Sequence, residues 1–335
     1  IVTGFFAQDN PAADGVAIGA LPPRFGLVDD SPQRWKTFRA RIDELNAAAP
    51  QGTKYKVFYL SRHGQGIVDN VGEAKYGTEI HRYWSKLYGD DELTWGPDPE
   101  LTEVGIKQAK AAREVWKTER AHGIPLPEKH YGSPFQRALR TFQETFVGAD
   151  FLDGKLLCIT ILENLREENG EHTCDMRSTR TAIAQKFPPP VYEFEEDFEE
   201  EDVYWKANER ETKEHVARRA QAVLDGIFTT DNETYICISA HSGIINGFLR
   251  AMGRSRYPLP TGGERAANDC FWSLTYGTIR HPPTCDSSGG PAQLELTKPC
   301  ETRLAVPVKN MRVEYIHFSC CFSRCRATYL IKVLS

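Results

Sequence analysis

The chain has 335 residues, with 41 Lys and Arg against 46 Asp and Glu, a formal charge of −5. Hydrophobic residues at 40%, charged residues at 26% and aromatics at 11% are those of a soluble globular protein, which excludes a wholly disordered chain. The longest apolar runs, such as Val57 to Leu60, fall far short of the roughly 20 residues of a membrane span, and the mild acidic balance argues against a general nucleic-acid binder.

In chain order, residues 1–33 are rich in Gly, Pro, Asp and Ala without a sustained period, and read as an extended arm lying on a domain or partly disordered. Apolar residues at 35, 38, 42 and 45 predict a helix ended by Pro50-Gln51-Gly52. Lys54 to Leu60 is a strand whose continuously apolar end suits a central position in a covered sheet. Thr102 caps a helix running to about His122, His130 to Gly132 is a short strand, and Phe135 to Phe146 is a helix. In that helix Pro134 takes the first turn and Ser133 is the expected N-cap. Leu156 to Leu162 and Tyr235 to Ala240 are buried strands; Ser178 to Phe187, Glu209 to Phe228 and Ile244 to Met252 are helices. Strand then helix, repeated, predicts a three-layer α/β/α sandwich with a mostly parallel central sheet, over residues 34–263.

Two segments interrupt this pattern. Glu193 to Asp202 is acidic at eight of ten positions and reads as a solvated loop before a helix, or else as an acidic partner surface. After Gly263 come six of the nine cysteines, Pro282-Pro283 and a long aperiodic stretch. Residues 264–335 therefore read as an atypical C-terminal extension, either a further subdomain or, preferably, a poorly evolved or mistranslated tail. His317, Cys320, Cys321 and Cys325 match no standard metal spacing, so no metal and no cofactor are expected. With no CxxC pair, the cysteines suggest a reducing, cytoplasmic setting. Asn232-Glu233-Thr234 is a formal glycosylation sequon of a kind common by chance. The chain opens at Ile1 without Met, which fits a removed leader or a trimmed start, and no signal segment is visible.

Chemistry is expected at the carboxyl ends of the strands, where ligands bind in open α/β sheets. Arg62-His63-Gly64 follows the first buried strand, and Gly64 and Gly66 let the backbone turn and a substrate approach. Ser133-Pro134-Phe135-Gln136-Arg137 marks a helix start, a natural anion site, with Arg137 adding a guanidinium grip. Ala240-His241-Ser242-Gly243 closes the apolar strand Tyr235 to Ala240. Two histidines and an arginine at three strand exits are much less probable by chance than any one of them alone.

These three blocks, in this order, resemble the histidine phosphatase superfamily, the phosphoglycerate mutase-like group. Tyr83 to Leu87, Leu93 to Thr102, Glu171 to Arg177 and Pro258 to Gly263 are more closely similar to fungal members, over roughly residues 20–263. The resemblance implies a phosphoglycerate mutase-like fold and a metal-independent phosphatase acting on a small phosphorylated metabolite through a phosphohistidine on His63. It further implies that Arg62, Arg137 and His241 bind the phosphoryl oxygens, and that a carboxyl group supplies the proton. Glu167 fits the fungal Leu-Arg-Glu pattern, with Glu163 and Glu168 as alternatives. The fungal loop after Arg-His-Gly-Gln-Gly continues with an aromatic residue and His-Asn. Here Ile67-Val68-Asp69-Asn70 stands instead, which leaves Asn70 as a phosphate or substrate contact. The alternatives are a phosphomutase of the same family, or a catalytically silent relative that binds a phospho-ligand or a protein. The expected partner is a small phosphorylated substrate or inorganic phosphate, with no nucleic acid and no membrane.

Overall fold

The computed structural model describes residues 1–67, 73–81 and 83–257, with the backbone alone at 73, 78 and 81, and the backbone of three further strands at 271–277, 315–319 and 328–332. A six-stranded sheet organises the first compact unit, Ile1–Ile279. Its strands are β1 (Tyr55–Arg62), β2 (Lys129–Gly132), β3 (Ile159–Ile161), β4 (Tyr192–Phe194), β5 (Tyr235–Ala240) and β6 (Phe271–Gly277), in the spatial order β4-β3-β2-β5-β1-β6. The first five run parallel, and β6 joins the β1 edge antiparallel. The chain steps outward from β2 to β4, then returns to insert β5 between β1 and β2. That reversal sets the carboxyl ends of β1, β2 and β5 side by side.

Alternation along the strands divides the core into two faces. Val57, Tyr59, Tyr235 and Cys237 pack on one side with α2 (Arg34–Ala47), α4 (Glu103–Ala121), α5 (Gln136–Phe146) and α6 (Arg180–Lys186). Phe58, Leu60, Ile236 and Ile238 pack on the other with α7 (Lys213–Thr230) and α8 (Ser242–Ala251). This is the three-layer sandwich the sequence leads one to expect. Two single-turn helices, α1 (Gly15–Ile18) and α3 (Glu73–Tyr76), complete the set among the described residues.

Three helices start at threonine caps, of which the sequence points to Thr102. Thr102 accepts from the Gly105 N–H at 3.1 Å, Thr179 from Ala182 at 3.1 Å and Thr212 from His215 at 3.2 Å. The last of these starts α7 at Lys213 rather than at Glu209. The start of α5 also departs from expectation: the helix begins at Gln136, and Ser133 does not cap it. Asp98, from the Pro97-Asp98-Pro99 turn, accepts the Gln136 N–H at 2.9 Å and does the capping from outside the element.

The N-terminal 33 residues are not simply extended. They fold into short helical turns and bury Phe6, Phe25 and Leu27 against Trp35, Phe38 and Trp116. The acidic run 193–202 is partly structural: β4 ends inside it, Asp202 pairs with the buried Arg166 at 2.6 Å, and Arg177 holds the carbonyls of Glu199, Glu200 and Glu201. Strand β6 lies beyond residue 263, and pairs along β1 from Ser61↔Phe271 to Tyr55↔Gly277. In the second unit, Arg280–Ser335, β7 (Tyr315–Ser319) and β8 (Thr328–Lys332) form an antiparallel pair. The side chains of His317, Cys320, Cys321 and Cys325 lie outside the described residues. No helix among the described residues is long and apolar enough to cross a membrane.

Candidate active site

Strand register brings the two histidines together. Arg62 stands opposite Ala240 across the β1–β5 ladder, and the His63 N–H continues it to the Ala240 carbonyl at 3.0 Å. His63 and His241 therefore leave neighbouring strands at the same height, with ring centroids 4.9 Å apart. β2 places Gly132 opposite Ser239 on the other side of β5, so Ser133 arrives beside His241, its Oγ 2.7 Å from Nε2.

The loop after β1 is locked onto α5 and α4. Gly64 donates to Thr141 Oγ1 at 3.0 Å, and Gln65 to Gln108 Oε1 at 2.6 Å. A Cβ at Gly64 would lie 2.5 Å from the Gly105 carbonyl, so glycine is demanded here by close backbone packing. His63 is buried, and its Nδ1 lies 2.7 Å from the Gly64 carbonyl. A carbonyl oxygen only accepts, so Nδ1 carries the proton and Nε2 is left with the lone pair.

Arg137, one residue into α5, is held on three sides. Its Nη1 donates to the Cys174 carbonyl at 2.8 Å and its Nη2 to Asp175 Oδ1 at 3.0 Å, while the guanidinium lies 4.5 Å from the Phe135 ring centre. His63, Gly66, Arg137, Glu167, Asp175, Arg210 and His172 line one pocket of about 170 Å³. A side chain at Gly66 would project toward Arg137 and His63, into this space. Arg62 and His241, both expected as phosphate contacts, are buried and do not line this pocket, and His241 is fully enclosed. Burial, then the charges of Arg137, His63 and Arg62, push the His241 imidazole well below its usual range and keep it neutral.

The three candidate carboxyls separate by environment. Glu163 is tied by both oxygens to Arg177 (3.1 and 2.9 Å) and by one to Arg166 (2.9 Å), and it does not line the pocket. Glu168 reaches the pocket but is paired with Lys213 and, at 3.5 Å, with Arg210. Glu167 is half-buried and lies at the start of α8, where its Oε2 accepts from the Gly243 N–H at 3.0 Å and from Ser242 Oγ at 3.3 Å. Burial, reinforced by the carboxylates of Asp175 and Glu168, raises its pKa. A Cβ at Gly243 would fall 1.8 Å from Glu167 Oε1, so the glycine after His241-Ser242 is what makes room for this carboxyl.

Asn70 lies outside the described residues. Asp175 and Arg210 were not singled out from the sequence, because their partners lie 35 to 42 positions away and no local motif marks the pairing. His172, Cys174 and Asp175 offer donor atoms within 4.8 Å of one another. Both Asp175 oxygens already accept from guanidinium groups, so a cation there would break two ion pairs and face two positive charges.

A parallel sheet with paired histidines and an arginine at the switch of strand order defines an α/β protein whose ligand site lies at the carboxyl ends of the strands. A family profile described as the histidine phosphatase superfamily (branch 1) matches residues 84–267, and the chain belongs to that superfamily. The matched span holds Arg137, Glu167 and His241 and begins after His63. A probable phosphoglycerate mutase of Arthroderma benhamiae is 38% identical over 274 residues, covering 78% of this chain and 81% of its own. A probable phosphoglycerate mutase of Saccharomyces cerevisiae is 31% identical, over 65% of this chain and 81% of its own. Among solved structures, a mycobacterial glucosyl-3-phosphoglycerate phosphatase is 21% identical with a TM-score of 0.35, over 59% of this chain and 80% of that one.

Proposed function

We propose that the chain is a phosphoric monoester hydrolase that works through a phosphohistidine on His63, without a metal ion or other cofactor. The observation that carries this reading is the anchored imidazole: Nδ1 is fixed by the Gly64 carbonyl, in the pocket that also holds Arg137 and Glu167. A neutral imidazole is a competent nucleophile near its ordinary pKa of about 6.5. In the first step His63 Nε2 forms a bond to phosphorus as the ester oxygen leaves, and Glu167 gives that oxygen its proton. In the second, water attacks the phosphohistidine, Glu167 takes the water's proton, and His63 departs with its electron pair restored. Arg137, which lines the pocket, stabilises the equatorial oxygens, and Arg62 and His241, which do not line it, support that charge from the buried layer, so that fixed positive charge does the work of transition-state stabilisation.

Glu167 suits both half-reactions. Its raised pKa favours the acid form before the first step. The carboxylate formed on proton transfer is received by the Gly243 N–H at the amino end of α8, where the helix dipole favours negative charge. The substrate is a small phosphorylated metabolite, in keeping with the modest pocket. Cys158, Cys174 and Cys237 are free thiols, and a cytoplasmic setting is part of the proposal, as is the absence of nucleic-acid and membrane partners.

The test is hydrolysis of a chromogenic phosphate ester with a chelator present, comparing the wild type with His63→Ala. Wild-type turnover that resists the chelator and is abolished in His63→Ala is the expected result; activity surviving the substitution would exclude the mechanism. Adding acceptor alcohols and counting released phosphate separates hydrolysis from transfer to a second hydroxyl, the mutase outcome.

A further inference from the structure

We infer that Asp175 is a positioning residue that joins the phosphate-binding arginine to the loop bearing the proton donor. This rests on the roles just proposed for Arg137 and Glu167. Asp175 ends the short turn Thr173–Asp175, is 4% exposed, and places its carboxylate between two guanidinium groups. Oδ1 accepts from Arg137 Nη2 at 3.0 Å and Oδ2 from Arg210 Nη1 at 2.8 Å. The same Arg210 nitrogen donates to the carbonyls of Glu168 at 2.9 Å and Gly170 at 2.8 Å, directly after Glu167. Before Glu167, Arg166 Nη2 donates to the Asp175 carbonyl at 3.0 Å. One short turn therefore fixes the aim of Arg137, holds the Arg166 side chain just before the donor, and through Arg210 holds backbone carbonyls after it.

Its charge has a second consequence. Glu167 faces the carboxylates of Glu168 and Asp175 and the guanidinium of Arg210, in a pocket shared with Arg137 and the imidazoles of His63 and His172. Lys213 acts at one remove, on Glu168, and Arg219 holds the Glu167 carbonyl at 3.1 Å. After burial itself, the Asp175 charge is the largest influence holding the proton on Glu167.

Replacing Asp175 by Asn keeps the shape and removes the charge, and Asp175→Glu keeps the charge and shifts the carboxylate. In Asp175→Asn, inhibition by inorganic phosphate should weaken about tenfold, as on loss of one partner of a buried ion pair. The alkaline limb of kcat against pH should move to lower pH, because Glu167 loses its proton more readily. Asp175→Glu should weaken phosphate binding while leaving that limb near its wild-type position. A uniform fall in kcat with the limb and the phosphate affinity unmoved would show a merely structural role and overturn the inference. Should Asp175→Asn fail to fold, Asp175→Glu decides alone: unchanged phosphate inhibition would refute the positioning of Arg137. His63→Ala keeps the two readings apart: if it is inactive while the Asp175 variants behave as wild type, only this inference falls, and if it is active the proposed mechanism falls first.

Discussion

At the scale of single residues, environment rather than residue type sorts the site. Three glutamates lie within six positions, yet Glu163 is committed to two arginines, Glu168 to Lys213 and Arg210, and only Glu167 meets the pocket with its carboxyl held by a helix start. The sequence could narrow the donor to this trio because the segment follows β3 at the right edge of the sheet. It could not choose among them from spacing, because the choice depends on arginines at 177, 210 and 219 contributed by other elements. Glu167→Gln removes the transferable proton with little change of shape. Its kcat on an alkyl phosphate should fall by roughly 10²–10⁴, whereas an aryl phosphate with an acidic leaving group should be hydrolysed nearly as before. Equal losses on both substrates, measured side by side, would remove Glu167 from the role.

At the scale of elements, the strands were legible because they are covered on both faces and so read as apolar runs. Tyr235 to Ala240 is buried along its whole length and was bounded correctly. Tyr192–Phe194 was missed: three residues entering an acidic run show too little pattern to register as a strand. The misplaced cap at Ser133 has a different cause. Its hydroxyl pairs with His241 and accepts only the Phe135 N–H ahead of the helix, and the first helical N–H is served by Asp98, 38 residues away. Only the folded chain brings that partner. Asp98→Ala should lower stability by about 1–2 kcal/mol in urea titration, the usual cost of a lost cap, and should weaken phosphate binding because Arg137 sits one residue into the helix. An unchanged midpoint would show that Asp98 does not carry the helix start.

At the scale of the whole molecule, the fold buries imidazoles that resist protonation. His130 on β2 packs edge-on against Phe142 and Phe146, and burial pushes its pKa down to about 3. Unfolded, it titrates near 6.5, so below that pH the unfolded chain takes the proton first. The stability linked to His130 is therefore complete above pH 6.5 and is lost as pH falls toward 3, at about 1.4 kcal/mol per pH unit. His241 acts in the same direction. His130→Leu should flatten the fall in melting temperature between pH 6.5 and 4, and an undiminished slope would show that other groups dominate. The N-terminal residues belong to this same packed body through Phe6, Phe25 and Leu27, which their Gly- and Pro-rich composition did not reveal.

The central claim, that phosphorus is bonded to His63 during turnover, is open to one direct measurement. Wild-type enzyme mixed with ³²P-labelled substrate and quenched in base should carry label that is stable to base, labile to acid, and located on the peptide containing His63. No such label should form on His63→Ala. Base-stable, acid-labile label on another peptide, or full turnover by a wild-type enzyme that never becomes labelled under rapid quench, would contradict the account.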